Sequence, residues 1–367
     1  MPEHDLTRWL EDMVRRNASD LYVKAFAPPH LRVNGAITPL DGPPLTAEQT
    51  EAAARSIMHD DEWQAFARQN ELDLALHVEG VGRFRVNAYR QQGCVSLVLR
   101  SIRQDVPSFE ELHLPADVLR RLCREERGLV LITGIAGSGK STTIAAMIAE
   151  INRTQRKHVV TIEDPIEYVF PDGLSIISQR EIGLDTHSFS DALRHVIRQS
   201  PDVIFIGEMR DLETMASAIM AAETGHLVLS TLLTLDAVQT VERIINFFPP
   251  YQHPQVRMQI SLVLKGVIAQ RLLVRADGAG RIPACEVMLA TPFVRKILHE
   301  GRTTELLEPI RKGTADGMCT FNQSLLALIQ SGAVTPDEGR KYADNVEELD
   351  LALRGIYSGV DTHTARR

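Results

Sequence analysis

The octet Gly134-Ile135-Ala136-Gly137-Ser138-Gly139-Lys140-Ser141 constrains this chain more than any other feature, because it satisfies the phosphate-loop pattern G-x-x-x-x-G-K-[ST] at every fixed position. An apolar run over residues 128–133 precedes it, and residues 142–151, opening with Thr142, follow with helical character. Strand, loop and helix in that order is the context such a loop needs. Its glycines let successive backbone N–H groups converge on phosphate oxygens, and the helix N-terminus adds partial positive charge. Lys140 can then reach the β- and γ-phosphates, and the Ser141 hydroxyl can ligate Mg²⁺. The chain is read as binding a nucleoside triphosphate, ATP with Mg²⁺.

The 367 residues leave room for two or three domains, and 44% hydrophobic with 24% charged residues is ordinary for a soluble globular chain. A formal net charge of −8 argues against a broad nucleic-acid surface, leaving only a local basic patch or channel open. Cys94, Cys123, Cys285 and Cys319 lie far apart with no C-x-x-C pair. That spacing favours isolated, reduced thiols in the cytosol over disulfides or zinc. The first residues lack the basic segment and apolar core of a secretory signal. No uninterrupted apolar stretch approaches the roughly 18 residues of a membrane span, so no transmembrane segment is expected. Any membrane association must run through a partner.

Leu6, Trp9, Leu10, Met13 and Val14 recur at helical spacing and predict an amphipathic opening helix. Strands are expected around 21–23 and 31–33, the second ending in the hairpin signal Asn34-Gly35. Thr46 with Gln49 reads as a capping box opening one helix to about Ala67, and strands follow at 73–78, 83–89 and 95–100. These elements make residues 1–100 a small α+β domain. Pro107 and Pro115 among polar residues place a linker at 101–116. Over 117–367 helices alternate with apolar strands at 129–133, 159–162, 203–206 and 227–230, which indicates a doubly wound parallel sheet. There is no internal repeat. The last hundred residues read as helical, with a disordered tail at 361–367.

Triphosphate hydrolysis also needs acidic groups for the metal and the attacking water, standing at the C-terminal ends of sheet strands. Two segments qualify: residues 159–167, ending in Glu163, Asp164 and Glu167, and residues 201–211, in which an apolar strand ends in Gly207-Glu208. Glu163 suits the attacking water, and Glu208 suits Mg²⁺ or its water shell. A solvated acidic loop is the plain alternative for either segment alone. Two of them downstream of a phosphate loop favour the functional reading. In the segment 83–89, Arg83, Arg85, Asn87 and Tyr89 alternate with apolar residues and share one face, which is either a solvated strand face or a functional one. His113, His253 and His299 have no partners at metal-ligand spacing, and Cys285 and Cys319 read as small core residues.

Glu163-Asp-Pro-Ile-Glu167, Gly207-Glu-Met-Arg-Asp-Leu-Glu213 and Ala222-Glu-Thr-Gly-His-Leu227 resemble the Asp box, Walker B and His box of the bacterial secretion ATPases. Within that superfamily the chain is most similar to the type IV pilus retraction ATPases, the PilT/PilU group. Ser19-Asp-Leu21, Arg83-Phe-Arg-Val-Asn87, Arg243-Ile-Ile-Asn-Phe-Phe248 and Thr320-Phe-Asn-Gln-Ser-Leu325 extend the likeness over nearly the whole chain. The resemblance implies a RecA-like parallel-sheet P-loop ATPase domain preceded by a PAS-like N-terminal domain. It implies a homohexamer with ATP between the two domains of each subunit, reached by N-terminal arginines. Arg85 and Arg100 fit that pattern best, and Arg103 is a weaker candidate. Glu163 is the implied general base, Glu208 the implied Walker B acid, and His226 a phosphate contact or relay.

The implied activity is ATP-driven pilus retraction and twitching motility, by a cytoplasmic protein held at the inner membrane. Its implied partners are a pilus platform protein and a paralogous retraction ATPase. There is one departure: Thr231-Leu232-Leu233-Thr234 stands where the family usually reads T-L-H, and leucine can neither donate nor accept a hydrogen bond. That substitution, with a PilU-like segment at 243–249, leaves open a weakly hydrolysing accessory subunit. A type II secretion or DNA-uptake motor also stays open, although the four-cysteine zinc module typical of the extension and type II secretion ATPases is missing.

Overall fold

The computed structural model describes residues 2–33, 35–102 and 105–356. The chain divides into two compact units, Met1–Gln104 and Asp105–Arg367. Arg103, Asn34 of the hairpin turn and the tail 361–367 lie outside the described residues.

The first unit is built on six antiparallel strands, β1 (Asp20–Lys24), β2 (His30–Val33), β3 (Ala36–Pro39), β4 (Glu71–Val78), β5 (Gly82–Gln91) and β6 (Cys94–Ile102), in the order β3-β2-β1-β6-β5-β4. The opening helix spans Pro2–Arg15 and buries Leu6, Leu10 and Met13, while Val14, one position round the helix, is exposed. The Thr46 capping box forms as expected: the Thr46 amide donates to Gln49 Oε1 at 2.8 Å, and the Gln49 amide to Thr46 Oγ1 at 3.2 Å. The single helix expected to run to Ala67 is two, Ala47–Ser56 and Asp60–Gln69. The second restarts because the Glu62 carboxylate accepts the His59 amide at 2.8 Å and three acidic residues fill its first turn, where the helix dipole favours negative charge.

The second unit carries seven strands, β7 (Gly128–Thr133), β8 (His158–Glu163), β9 (Ile176–Glu181), β10 (Val203–Ile206), β11 (Leu227–Leu232), β12 (Leu264–Val274) and β13 (Arg281–Leu289), in the order β13-β12-β7-β11-β10-β8-β9. Every pairing is parallel except the β12–β13 hairpin. Strands β7, β10 and β11 are buried throughout, as a sheet covered by helices on both faces requires. This is the parallel-sheet α/β architecture expected of residues 117–367, with the smaller α+β unit before it.

Two differences matter. The β12–β13 hairpin corrects the helical reading of the last hundred residues; its turn holds Asp277-Gly278, with Gly278 at φ +70°. The proline-based linker at 101–116 is mostly part of the second unit: Phe109 and Leu114 are buried beside Val118 and Leu119 of the helix Ala116–Cys123. Apolar side chains inside a proline-flanked segment outweigh the local turn signal. Among the described residues no helix is long and apolar enough to cross a membrane.

Candidate active site

Strand β7 ends fully buried at Thr133, and the chain must turn into the helix Lys140–Thr154 across residues 134–139. A Cβ at Gly134 would lie 2.4 Å from Ser138 Oγ and 2.5 Å from the Gln270 carbonyl oxygen, so only glycine fits there. At Gly137, φ +76°, the same atom would meet nothing, because that part of the loop faces open space. Lys140 Nζ donates to the carbonyls of Gly134 and Ile135, each at 2.9 Å, and so spans the concavity of the loop. Burial lowers the Lys140 pKa, while Glu208 and Glu167 oppose that shift. Ser138 Oγ is buried in the turn with no hydrogen-bond partner among the described residues. One turn on, the hydroxyls of Thr142 and Tyr168 lie 3.2 Å apart, and Thr143 pairs with Gln270 of β12, anchoring the helix start to the sheet. A turn that admits only glycine at its first position, a lysine across its mouth and amides at a helix N-terminus fit a triphosphate.

Strands β8 and β10 are parallel neighbours with Ile162 opposite Ile206, so Glu163 and Gly207-Glu208 emerge side by side at the edge of the sheet that carries the loop. Glu163 is only 7% exposed. Its Oε1 accepts the Thr161 hydroxyl at 2.6 Å and Gln179 Nε2 at 3.2 Å. Burial pushes the Glu163 carboxyl up to about 7, against the pull of those donors and of the Glu167 amide. Glu208 is partly buried and pairs with Arg210 at 3.0 Å.

Lys140, Ser141, Glu163, Glu208, Arg210 and Leu233 all line one cleft of about 380 Å³, which also takes in Ala136 and Gly137. A smaller hollow of about 250 Å³ between the helices Leu212–Glu223 and His253–Val263 has glutamines as its polar lining and no titratable group, so the chemistry points to the first. Leu233, just beyond β11, is 59% exposed in the cleft and not part of the core.

The structure does not bring His226 there. His226 precedes β11 at the opposite edge of the sheet, where its carbonyl accepts the amide of Gly128 at the start of β7. Its ring Nδ1 sits 2.9 Å from the Ala221 carbonyl. The six residues of β11 separate it from the cleft by about 20 Å at the usual rise per strand residue. His226 is therefore not a phosphate contact of its own chain's loop, and the expectation is corrected: a histidine at the front of a parallel strand cannot serve a site at the strand's end.

Arg85 and Arg100 belong to the first unit, directly opposite each other on β5 and β6. Arg85 lies 3.9 Å from Asp73, and Arg100 Nε donates to Asp20 Oδ1 at 2.8 Å. Asp20 is buried, with Arg32 on its other oxygen at 3.3 Å. Arg83, Arg85, Asn87 and Tyr89 are partly exposed and alternate with buried Phe84, Val86 and Ala88, so the shared face expected from the pattern is present.

Sequence reasoning passed over Thr161, Tyr168, Gln179 and Arg210. Arg210 stands two residues after Glu208 in the run Gly207–Glu213, a spacing that marks it as a partner for that carboxylate. Gln179 was hidden because β9 is an edge strand with an exposed Ile176 and lacks an apolar run.

A glycine-rich phosphate loop flanked by two strand-end glutamates on a parallel sheet defines a P-loop nucleoside triphosphatase site. The chain belongs to the Type II/IV secretion system protein family, which it matches over residues 2–324. It is 42% identical over 350 residues to the type IV pilus ATPase PilU of Pseudomonas aeruginosa, covering 95% of this chain and 91% of that one. It is 41% identical over 339 residues to the type IV pilus retraction ATPase PilT of the same organism, covering 92% and 98%. A crystal structure of the pilus retraction motor PilT with bound ADP superposes with a TM-score of 0.87 at 44% identity, over 94% of this chain and 98% of that one.

Proposed function

We propose that this protein is a Mg²⁺-dependent ATPase that drives retraction of a type IV pilus. The observation that carries the reading is the convergence of the loop, Glu163 and Glu208 on one cleft, in a chain so similar to PilT and PilU. The backbone amides of residues 134–142 and Lys140 hold the phosphates. Ser141 and Glu208 would hold Mg²⁺, directly or through water, where it would supply positive charge against the phosphate oxygens. Glu163 takes a proton from the attacking water; a carboxyl with a pKa of about 7 is matched to that task at neutral pH. Arg85 and Arg100 supply positive charge from the first unit. The protein works as a cytoplasmic homohexamer, bound at the inner membrane through a platform protein and acting beside a paralogous retraction ATPase.

Leu233 favours a second reading, a weakly hydrolysing accessory subunit, because it places an exposed apolar side chain in the cleft where the family usually has histidine. ATP affinity and turnover of the sized oligomer separate the two. Tight binding with turnover lost in Glu163→Gln supports the motor; tight binding with negligible wild-type turnover supports the accessory subunit. Failure to bind ATP overturns both. A deletion strain that retracts pili normally but loses secretion or DNA uptake overturns the assignment to retraction.

A further inference from the structure

Beside the cleft, outside the loop and the two glutamates, Gln179 is held by three hydrogen bonds. It stands on β9 directly opposite Thr161 of β8 in parallel register, so Thr161 and Gln179 are neighbours, and Glu163 lies two residues further along the same strand face. Side-chain amides can be turned end for end, but this one is fixed by backbone groups on both sides. Its Oε1 accepts the Phe170 amide at 2.9 Å, and its Nε2 donates to the Tyr168 carbonyl at 2.8 Å. The N–H₂ end must therefore face Glu163, where it donates to Oε1 at 3.2 Å. Thr161 donates to the same oxygen at 2.6 Å.

We infer that Gln179, with Thr161, is a positioning residue for hydrolysis: the pair holds Glu163 Oε1 and, with the Glu167 amide that also donates to this carboxyl, fixes the carboxylate plane for accepting the proton from the attacking water. The inference rests on Glu163 being the general base. Gln179 also ties the segment after Glu163 to the edge strand through Tyr168 and Phe170, so the base and the wall of the cleft are held by one side chain. Both donors favour the ionised carboxylate, which burial alone disfavours. The other charged groups around Glu163 are Asp164 and Glu167 on its own loop, Glu181 opposite it on β9, and Lys140, Glu208 and Arg210 across the cleft. None of these is altered by changes at 161 or 179.

The test uses the full-length oligomer and its steady-state ATPase. Gln179→Met and Thr161→Val keep side-chain volume and remove one donor each. Each is expected to lower kcat about 10-fold, within the usual contribution of base catalysis, while KM for ATP stays within about 2-fold. Each is also expected to move the acid limb of the kcat–pH profile upward, because the ionised form has lost a donor. Thr161→Ser keeps the hydroxyl and should behave as wild type. On a Glu163→Gln background, Gln179→Met should change nothing further. An unmoved acid limb with kcat intact in both variants overturns the inference while leaving Glu163 as the base. If Glu163→Gln itself retains most activity, the base assignment fails and takes the positioning role with it. Should Gln179→Met fail to fold because Phe170 and Tyr168 lose their partner, Thr161→Val and Thr161→Ser decide the question alone.

Discussion

Glu163→Gln should make the protein inactive and, at alkaline pH, more stable. The carboxyl ordinarily titrates near 4.5 and is pushed to about 7 by burial. Below about pH 4.5 the folded and unfolded chains both hold the proton, and the side chain adds no pH-dependent term. Between 4.5 and 7 the folded protein keeps a proton the unfolded chain has released, so stability falls as the pH rises; above 7 the whole penalty is present. At about 1.4 kcal/mol per decade the penalty reaches about 3 kcal/mol. Glutamine has no charge to bury, and its carbonyl can still accept from Thr161 and Gln179. Melting temperatures of wild type and variant should therefore diverge from near equality at pH 4 to a gap of about 5–10 °C at pH 8.5, in favour of the variant. The buried Glu286, also raised to about 7, is present in both proteins and cancels. Turnover should drop by about 10² or more, with ATP still bound. A melting difference that does not change with pH would show that burial does not penalise this carboxylate. The account of Glu163 as a base poised near neutrality would then be wrong.

Lys140→Ala should abolish measurable hydrolysis without loss of the oligomer; wild-type turnover with normal circular dichroism would remove the loop as the active site. Leu233→His should leave the melting temperature unchanged, because Leu233 is exposed, and should raise turnover several-fold; a clear stability loss would place the leucine in a packed environment instead. His226→Ala should keep turnover within about 3-fold of wild type, and a loss above about 10-fold would refute its placement at the far edge of the sheet. Arg85→Ala should lower turnover by about 10³ while the ring persists, the scale on which arginine stabilises phosphoryl transfer, and an unaffected rate would leave Arg85 as part of a solvated strand face.

Four strands of the second unit, β7, β8, β10 and β11, were legible in the sequence because parallel strands buried on both faces carry unbroken apolar runs, as Leu129–Ile132 and Val203–Ile206 do. The first unit was legible for a different reason: alternation along β5 and the capping box at Thr46 are local signals that need no tertiary context. What escaped notice was of two kinds. The break at Ile57–His59 is local but turns on a single carboxylate reaching back three residues to one amide, behind a histidine that is an uncommon cap; the rest depended on tertiary context. Strand β9 lies at an edge, where exposure removes the apolar run. The β12–β13 hairpin joins β7 through pairing more than 100 residues away in sequence, beyond the reach of any window of local pattern.

The same physics divides the site residues. Glu163 and Glu208 were readable because each sits where a strand stops, and Lys140 and Ser141 because they open the helix after the loop that follows β7; in a parallel sheet these strand ends share one edge. Strand direction, applied to the His box, also decides between its two conspicuous positions. His226 precedes β11 and Leu233 follows its end, so only position 233 reaches the cleft. The residue with the more suggestive chemistry is at the wrong end, and the one at the right end has no hydrogen-bonding group. A histidine in a motif says less about phosphate than the direction of the strand beside it. It follows that turnover of this chain should respond to changes at position 233 and at the groups that hold Glu163, and not to changes at His226.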